Sequence, residues 1–287
     1  MSARAVGYHR VMKDQVLRWA CFLLAAFVVG PMAGALVGLV RGPEGGFGAQ
    51  ALLAESPMLG LLAYLGVIVL ATIMGVLGAR LATARLGLFC AGLVVAWAAF
   101  GTERLDAVIR RAQSGAPLRM LAIEAVMLGA LAVAGAVLIV RSDRTGERHT
   151  GGGWKAAAIA LVITVPVAAL VAAFLARHGA VGQTIASATA GAVAGALVGR
   201  IVAPGSSLVA FVAAMMVLAT LAPLGAMITD GAAIVQRLYA GHEFALARPM
   251  PLDWIAGALM GVPVGSWWAA SMVERQHSTA GANAKAA

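Results

Sequence analysis

Charge is the scarcest thing in this sequence. Only 11% of its 287 residues are Asp, Glu, Lys or Arg, against about a quarter in a soluble domain, so too little polar surface exists to keep a chain of this length in water. Cysteine is almost missing as well. Cys21 and Cys90 are the two copies, both inside apolar runs, where a thiol acts as a small packing residue; a disulfide framework is excluded. The spacings CxxC, HExxH and CxxCH do not occur, so zinc, thioredoxin-type and c-haem chemistry have no ligands. Gly151-Gly152-Gly153 lacks the Lys-Ser/Thr of a phosphate loop. No cofactor and no metal is expected.

What fills the space is apolar. Hydrophobic residues make up 61% of the chain and its mean hydropathy is +0.91. Eight runs are each long enough to cross about 30 Å of hydrocarbon as a helix: Trp19–Val40, Leu59–Gly78, Leu81–Phe100, Met120–Val140, Ala156–Leu175, Val181–Val202, Leu208–Ile228 and Trp254–Val273. The runs are continuous rather than alternating, and a bilayer demands backbones paired within the segment, so they are read as helices and not barrel strands. The first run exceeds the 7–15 apolar residues of a secretory signal, and it is read as a span.

The runs fall into two similar sets. Trp19 and Pro31 share their spacing with Trp154 and Pro166, and Ala71-xxx-Gly75-xxx-Ala79-Arg80 returns as Gly191-xxx-Gly195-xxx-Gly199-Arg200. Thr102-Glu103 and Pro117-Leu118 are matched by Thr229-Asp230 and Pro251-Leu252 in the same order. Ordered self-similarity of this kind marks an internal repeat. Four spans per half is even, so the halves are expected to be parallel and related by a pseudo-two-fold axis along the membrane normal. Residues 1–145 form the first repeat, 146–155 a polar cytoplasmic linker, and 156–287 the second repeat with a short C-terminal tail.

The net charge of +9 does not point to nucleic acid, because its distribution follows the spans. With the N-terminus in the cytoplasm, 13 of the 21 Lys and Arg lie on that side. The positive-inside rule then places both termini in the cytoplasm, in the cytoplasmic (inner) membrane.

Candidate functional residues are few. Glu124 is a carboxylate inside an apolar run, where a charge costs at least about 2.5–3.5 kcal/mol; Arg119 or Arg200 are its candidate partners, and Glu124 with Arg200 forms a candidate substrate or proton-linked site. Pro31 and Pro166 sit mid-span, where a missing N–H kinks a helix, and are candidate hinges. Glu103, Asp106, Asp230 and Glu243, with His242, are candidates for an outer polar vestibule. Leu105, Val108, Ile109 and Ala112 share one helical face of a short amphipathic segment there, which either lies on the membrane surface or caps the mouth between the halves. The glycine ladders Gly30/34/38, Gly191/195/199 and Gly257/261/265 are read as close-packing faces.

Three functions fit. A permease or channel for an apolar or amphipathic solute leads, a non-catalytic scaffold or accessory subunit is the alternative, and a membrane-embedded enzyme comes third because no nucleophile–base pair is present. The expected partners are the lipid bilayer and either another membrane protein or further copies of this chain.

Overall fold

A computed structural model describes residues 15–144 and 153–286. The linker expected over 146–155 falls largely outside these residues, and Trp154, placed in it by sequence, instead opens a helix. The elements are α1 (Gln15–Gly38), α2 (Pro57–Leu81), α3 (Ala84–Phe100), α4 (Leu105–Ala112), α5 (Ala116–Arg141), α6 (Trp154–Leu175), α7 (Val181–Val202), α8 (Leu208–Thr229), α9 (Ile234–Tyr239) and α10 (Pro251–Ala286). No strand forms among the described residues; extended pairing is limited to a bridge between Arg41 and Phe47.

Helix starts follow local chemistry. Thr83 and Ser207 cap α3 and α8 by accepting from the amides of Leu86 and Ala210 at 3.2 Å each, which satisfies donors the helix leaves open. Pro57 and Pro251 occupy the first turn of α2 and α10, where no amide partner is lost.

Among the described residues, seven helices are long and apolar enough to cross a membrane: α1, α2, α3 counted together with α4, α5, α6, α7 and α8. Their outward faces carry Phe27, Ile73, Leu170, Phe174 and Ile228, all exposed. A soluble monomer does not present apolar surface on this scale. The chain is an integral, polytopic, all-helical membrane protein.

The eighth expected span lies on α10, which is not among the seven. Its polar Asp253, Ser266 and tryptophans dilute its hydropathy, yet residues 251–263 are all buried within the protein. A helix sheltered by its neighbours on every side has no need to match lipid in composition.

Within the first half α3 packs on α2 and α1, and α5 on α2; within the second, α7 packs on α6 and α10, and α8 on α6 and α10. Across the halves α3 lies on α10, α5 on α8, and α5 touches α10. The glycine ladders set several of these approaches. A Cβ on Gly257 would sit 2.6 Å from the Ala188 carbonyl carbon, one on Gly261 2.5 Å from the Thr189 oxygen, and one on Gly195 2.9 Å from the Thr164 oxygen. Backbone meets backbone along α7, which is how apolar helices gain contact without a hydrophobic drive between them. Gly30 and Gly34 pack on Trp97, whereas Gly38 faces open space.

The two mid-span prolines differ. Before Pro31 the helix widens into a π-turn over Ala25–Val29, with the Gly30 amide donating to the Ala25 carbonyl. The wider turn accommodates a ring that has no N–H to give. Pro166 lies within the assigned span of α6, Trp154–Leu175, with no such widening.

Candidate functional site

The polar residues of the loops that follow α3 and α8 converge at one end of the bundle. Arg104, just before α4, donates from Nη1 to Asp253 Oδ2 at 2.6 Å and to Thr184 Oγ1 at 3.1 Å. Its Nη2 donates to the Ala99 carbonyl at 2.8 Å. Asp253 and Thr184 belong to the first turns of α10 and α7, so one arginine of the first half is held by two helices of the second. Asp253 is fully buried and also accepts from the Met250 amide at 2.9 Å. An acid reaching back to the residue that precedes its helix is half of a capping box, and it lies where the helix dipole favours negative charge.

Beside this pair opens a cavity of about 460 Å³, lined by Arg104, Asp106, Arg110, Glu243, Arg248 and Gly179–Val181. Arg248, itself buried, donates to Glu243 Oε1 at 2.7 Å and to the Ala176 carbonyl at 2.6 Å. The Arg110 guanidinium lies 4.7 Å from the Tyr239 ring centre, a cation–π distance. Asp106 is exposed and has no ion pair with any described residue.

The wall of this cavity is the short amphipathic segment itself. Leu105, Val108 and Ile109 of α4 are buried together with Leu118, Leu121, Ile234, Leu238 and Met250. Thus α4 packs under the second half's α9 rather than lying free on a membrane surface.

Comparison with known proteins decides nothing further. No protein-family model, curated protein or solved structure matches this chain.

The residues singled out by sequence are distributed as follows. Asp106 and Glu243 line the cavity. Glu103 is held by Arg111 at 2.5 Å, with its carbonyl accepting from Gln50 Nε2 at 2.8 Å. Asp230 accepts from Arg237 at 2.8 Å and from the Phe244 amide at 2.8 Å. His242 is exposed, and its amide donates to the Arg237 carbonyl at 2.8 Å. Glu124 is fully buried, but its partner is neither Arg119 nor Arg200: Oε2 accepts from the Leu52 amide at 2.9 Å. It pins the 3₁₀ turn Ala51–Leu53 between α1 and α2, and Oε1 meets no hydrogen-bond donor among the described residues.

Arg200 sits at the other end of α7, about 24 Å of helix from Thr184. It donates to the Ser206 carbonyl, and Ser206 Oγ in turn donates to Ala156 O at 2.9 Å. Glu124 and Arg200 are therefore not brought together. Neither Arg104 nor Asp253 was among the candidate functional residues of the sequence. Among the described residues no group of three or more His, Cys, Asp or Glu is placed to hold a metal ion.

Proposed function

We propose that the protein is a permease for an amphipathic solute, built from two parallel four-helix repeats with eight crossings and both termini in the cytoplasm. The observation that carries this reading is the Arg104–Asp253 ion pair, which ties the halves together at the inner wall of a polar outer cavity. A buried pair between moving halves is a natural outer gate, because alternating access in repeat-built transporters works by rocking one half against the other.

The repeat reading draws support from reciprocity. The third helix of each half packs on the fourth of the other, α3 on α10 and α8 on α5, as a two-fold relation demands. After each third helix an acid pairs with an arginine of the following short helix, Glu103 with Arg111 and Asp230 with Arg237. The cavity mixes both signs of charge with Leu105 and Leu238, which suits a solute with a polar head and an apolar body better than a bare ion.

The test is flux in proteoliposomes, using a medium-chain fatty acid, an acylcholine and an acyl zwitterion as probes. Wild type moves at least one of them, and Asp253→Asn raises the rate at which a cysteine placed at Thr184 reacts with an impermeant maleimide from outside. Absence of flux together with unchanged labelling defeats the permease reading.

One observation favours the scaffold alternative. The contact between halves is tight at its middle, with Gly92 of α3 against the Met260 amide, where a Cβ would come within 2.8 Å. A scaffold would show no flux and a fixed stoichiometry with a membrane partner or with itself, read by cross-linking in native membranes.

A further inference from the structure

The seam between α5 and α8 holds two cavities that the proposed gate does not use. The larger one, about 550 Å³, is walled by Val126, Gly129, Ala130, Val133, Met216 and Val217. Its single polar side chain, Thr220, gives its hydroxyl to the Met216 carbonyl at 3.1 Å. Gly129 makes room there, since a Cβ on it would meet Met216 Cβ at 3.1 Å.

The second cavity, about 440 Å³, lies at the outer end of the same seam, between Arg119 and Met120 of α5 and Met227 of α8. Arg119 is exposed and has no ion pair or hydrogen bond with any described residue. Neither cavity has an acid in its lining. Glu124, close by in sequence, is turned to the Leu52 amide instead.

We infer that this seam seats one phospholipid of the outer leaflet, with an acyl chain between α5 and α8 and its phosphate on Arg119. The length agrees: Arg119 to Val133 spans about 21 Å of helix, half of a bilayer's roughly 40–45 Å including headgroups. The chemistry agrees too. An apolar helix from a second protein would fill the groove but leave Arg119 without a counter-charge, whereas a phospholipid satisfies both ends at once. The inference takes only its leaflet from the proposed orientation and holds equally for a permease or a scaffold.

Native mass spectrometry of the full-length protein, delipidated in detergent and titrated with phosphatidylglycerol, phosphatidylcholine or diacylglycerol, tests it. Wild type should retain one phospholipid, and the phosphate-free diacylglycerol should bind about five-fold more weakly. Arg119→Gln, at an exposed position, should bring both phospholipids down to the diacylglycerol level. Ala130→Phe from one wall, and Val217→Phe from the other, should abolish retention of all three. Equal binding of diacylglycerol and phospholipid by wild type overturns the inference. So does unchanged retention in Arg119→Gln, or in both groove-filling variants.

Discussion

Replacing Asp253 by alanine should be among the most damaging single changes available to this protein. Its carboxylate is fully buried and takes two hydrogen bonds, from Arg104 at 2.6 Å and from the Met250 amide at 2.9 Å. Removing it strands a guanidinium whose remaining partners are Ala99 O and Thr184 Oγ1. Losing one member of a buried pair costs about 3–5 kcal/mol, most of it the penalty on the charge left behind. Asp253→Asn keeps the shape and one acceptor, and should cost less. Arg104→Met removes the orphaned charge itself, so the double variant Arg104→Met/Asp253→Ala should be more stable than the sum of its singles implies. The coupling should fall in the range of about 0.5–3 kcal/mol seen for contacting residues. Equilibrium unfolding in mixed micelles, run as a double-mutant cycle, reads it directly. Additive single-site effects would refute the claim that this pair joins the halves.

Three other outcomes are expected. Gly261→Leu drives a side chain into the Thr189 backbone on α7 and should lower stability by at least about 1–3 kcal/mol, seen as lost yield and thermal stability, whereas Gly38→Leu, at a ladder position facing open space, should leave both unchanged. Glu124→Gln keeps an acceptor for the Leu52 amide and should behave nearly as wild type, while Glu124→Leu forfeits about 1.5–3 kcal/mol of charge-assisted hydrogen bonding and should expose residues 41–56 to added protease; equal protection in both variants removes Glu124 from its anchoring role. A cysteine at Ser142 should react with an impermeant reagent only after the cytoplasm is opened, and one at Ser114 from outside, with the reverse pattern inverting the orientation.

The spans were legible because a bilayer imposes its thickness on composition, and runs such as Val181–Val202 can be read off as they stand. α10 was legible as a helix, but not as the shielded one, because shielding depends on where α3, α7 and α8 end up. Glu124 stood out for the right physical reason, a lone carboxylate in an apolar run. Its partner was invisible, being a backbone amide 72 residues away in a loop. Arg104 and Asp253 are 149 residues apart, and nothing around either announces the other; the packing of the two halves brings them together. Matched prolines suggested matched bends. The π-turn ahead of Pro31 depends on how α1 settles on Trp97, which the Trp/Pro spacing does not encode.

The 149 residues between Arg104 and Asp253 also set a clock. A ribosome adding about 5–20 residues each second delivers the acid roughly 7–30 s after the arginine. During that interval α1 to α8 are available to the insertion machinery, while Arg104 has no counter-ion and the face of α3 around Gly92 has no α10 to lie on. The arginine must wait at the water boundary, and α4 cannot close beneath α9 until both are made. Arrival of α10 therefore acts as a latch that neutralises a charge and seals a glycine face in one event. Biogenesis of this protein is vulnerable at its end: a chain stopped before Pro251 would carry most of its hydrophobic mass into the bilayer and still present quality control with an unfinished seam.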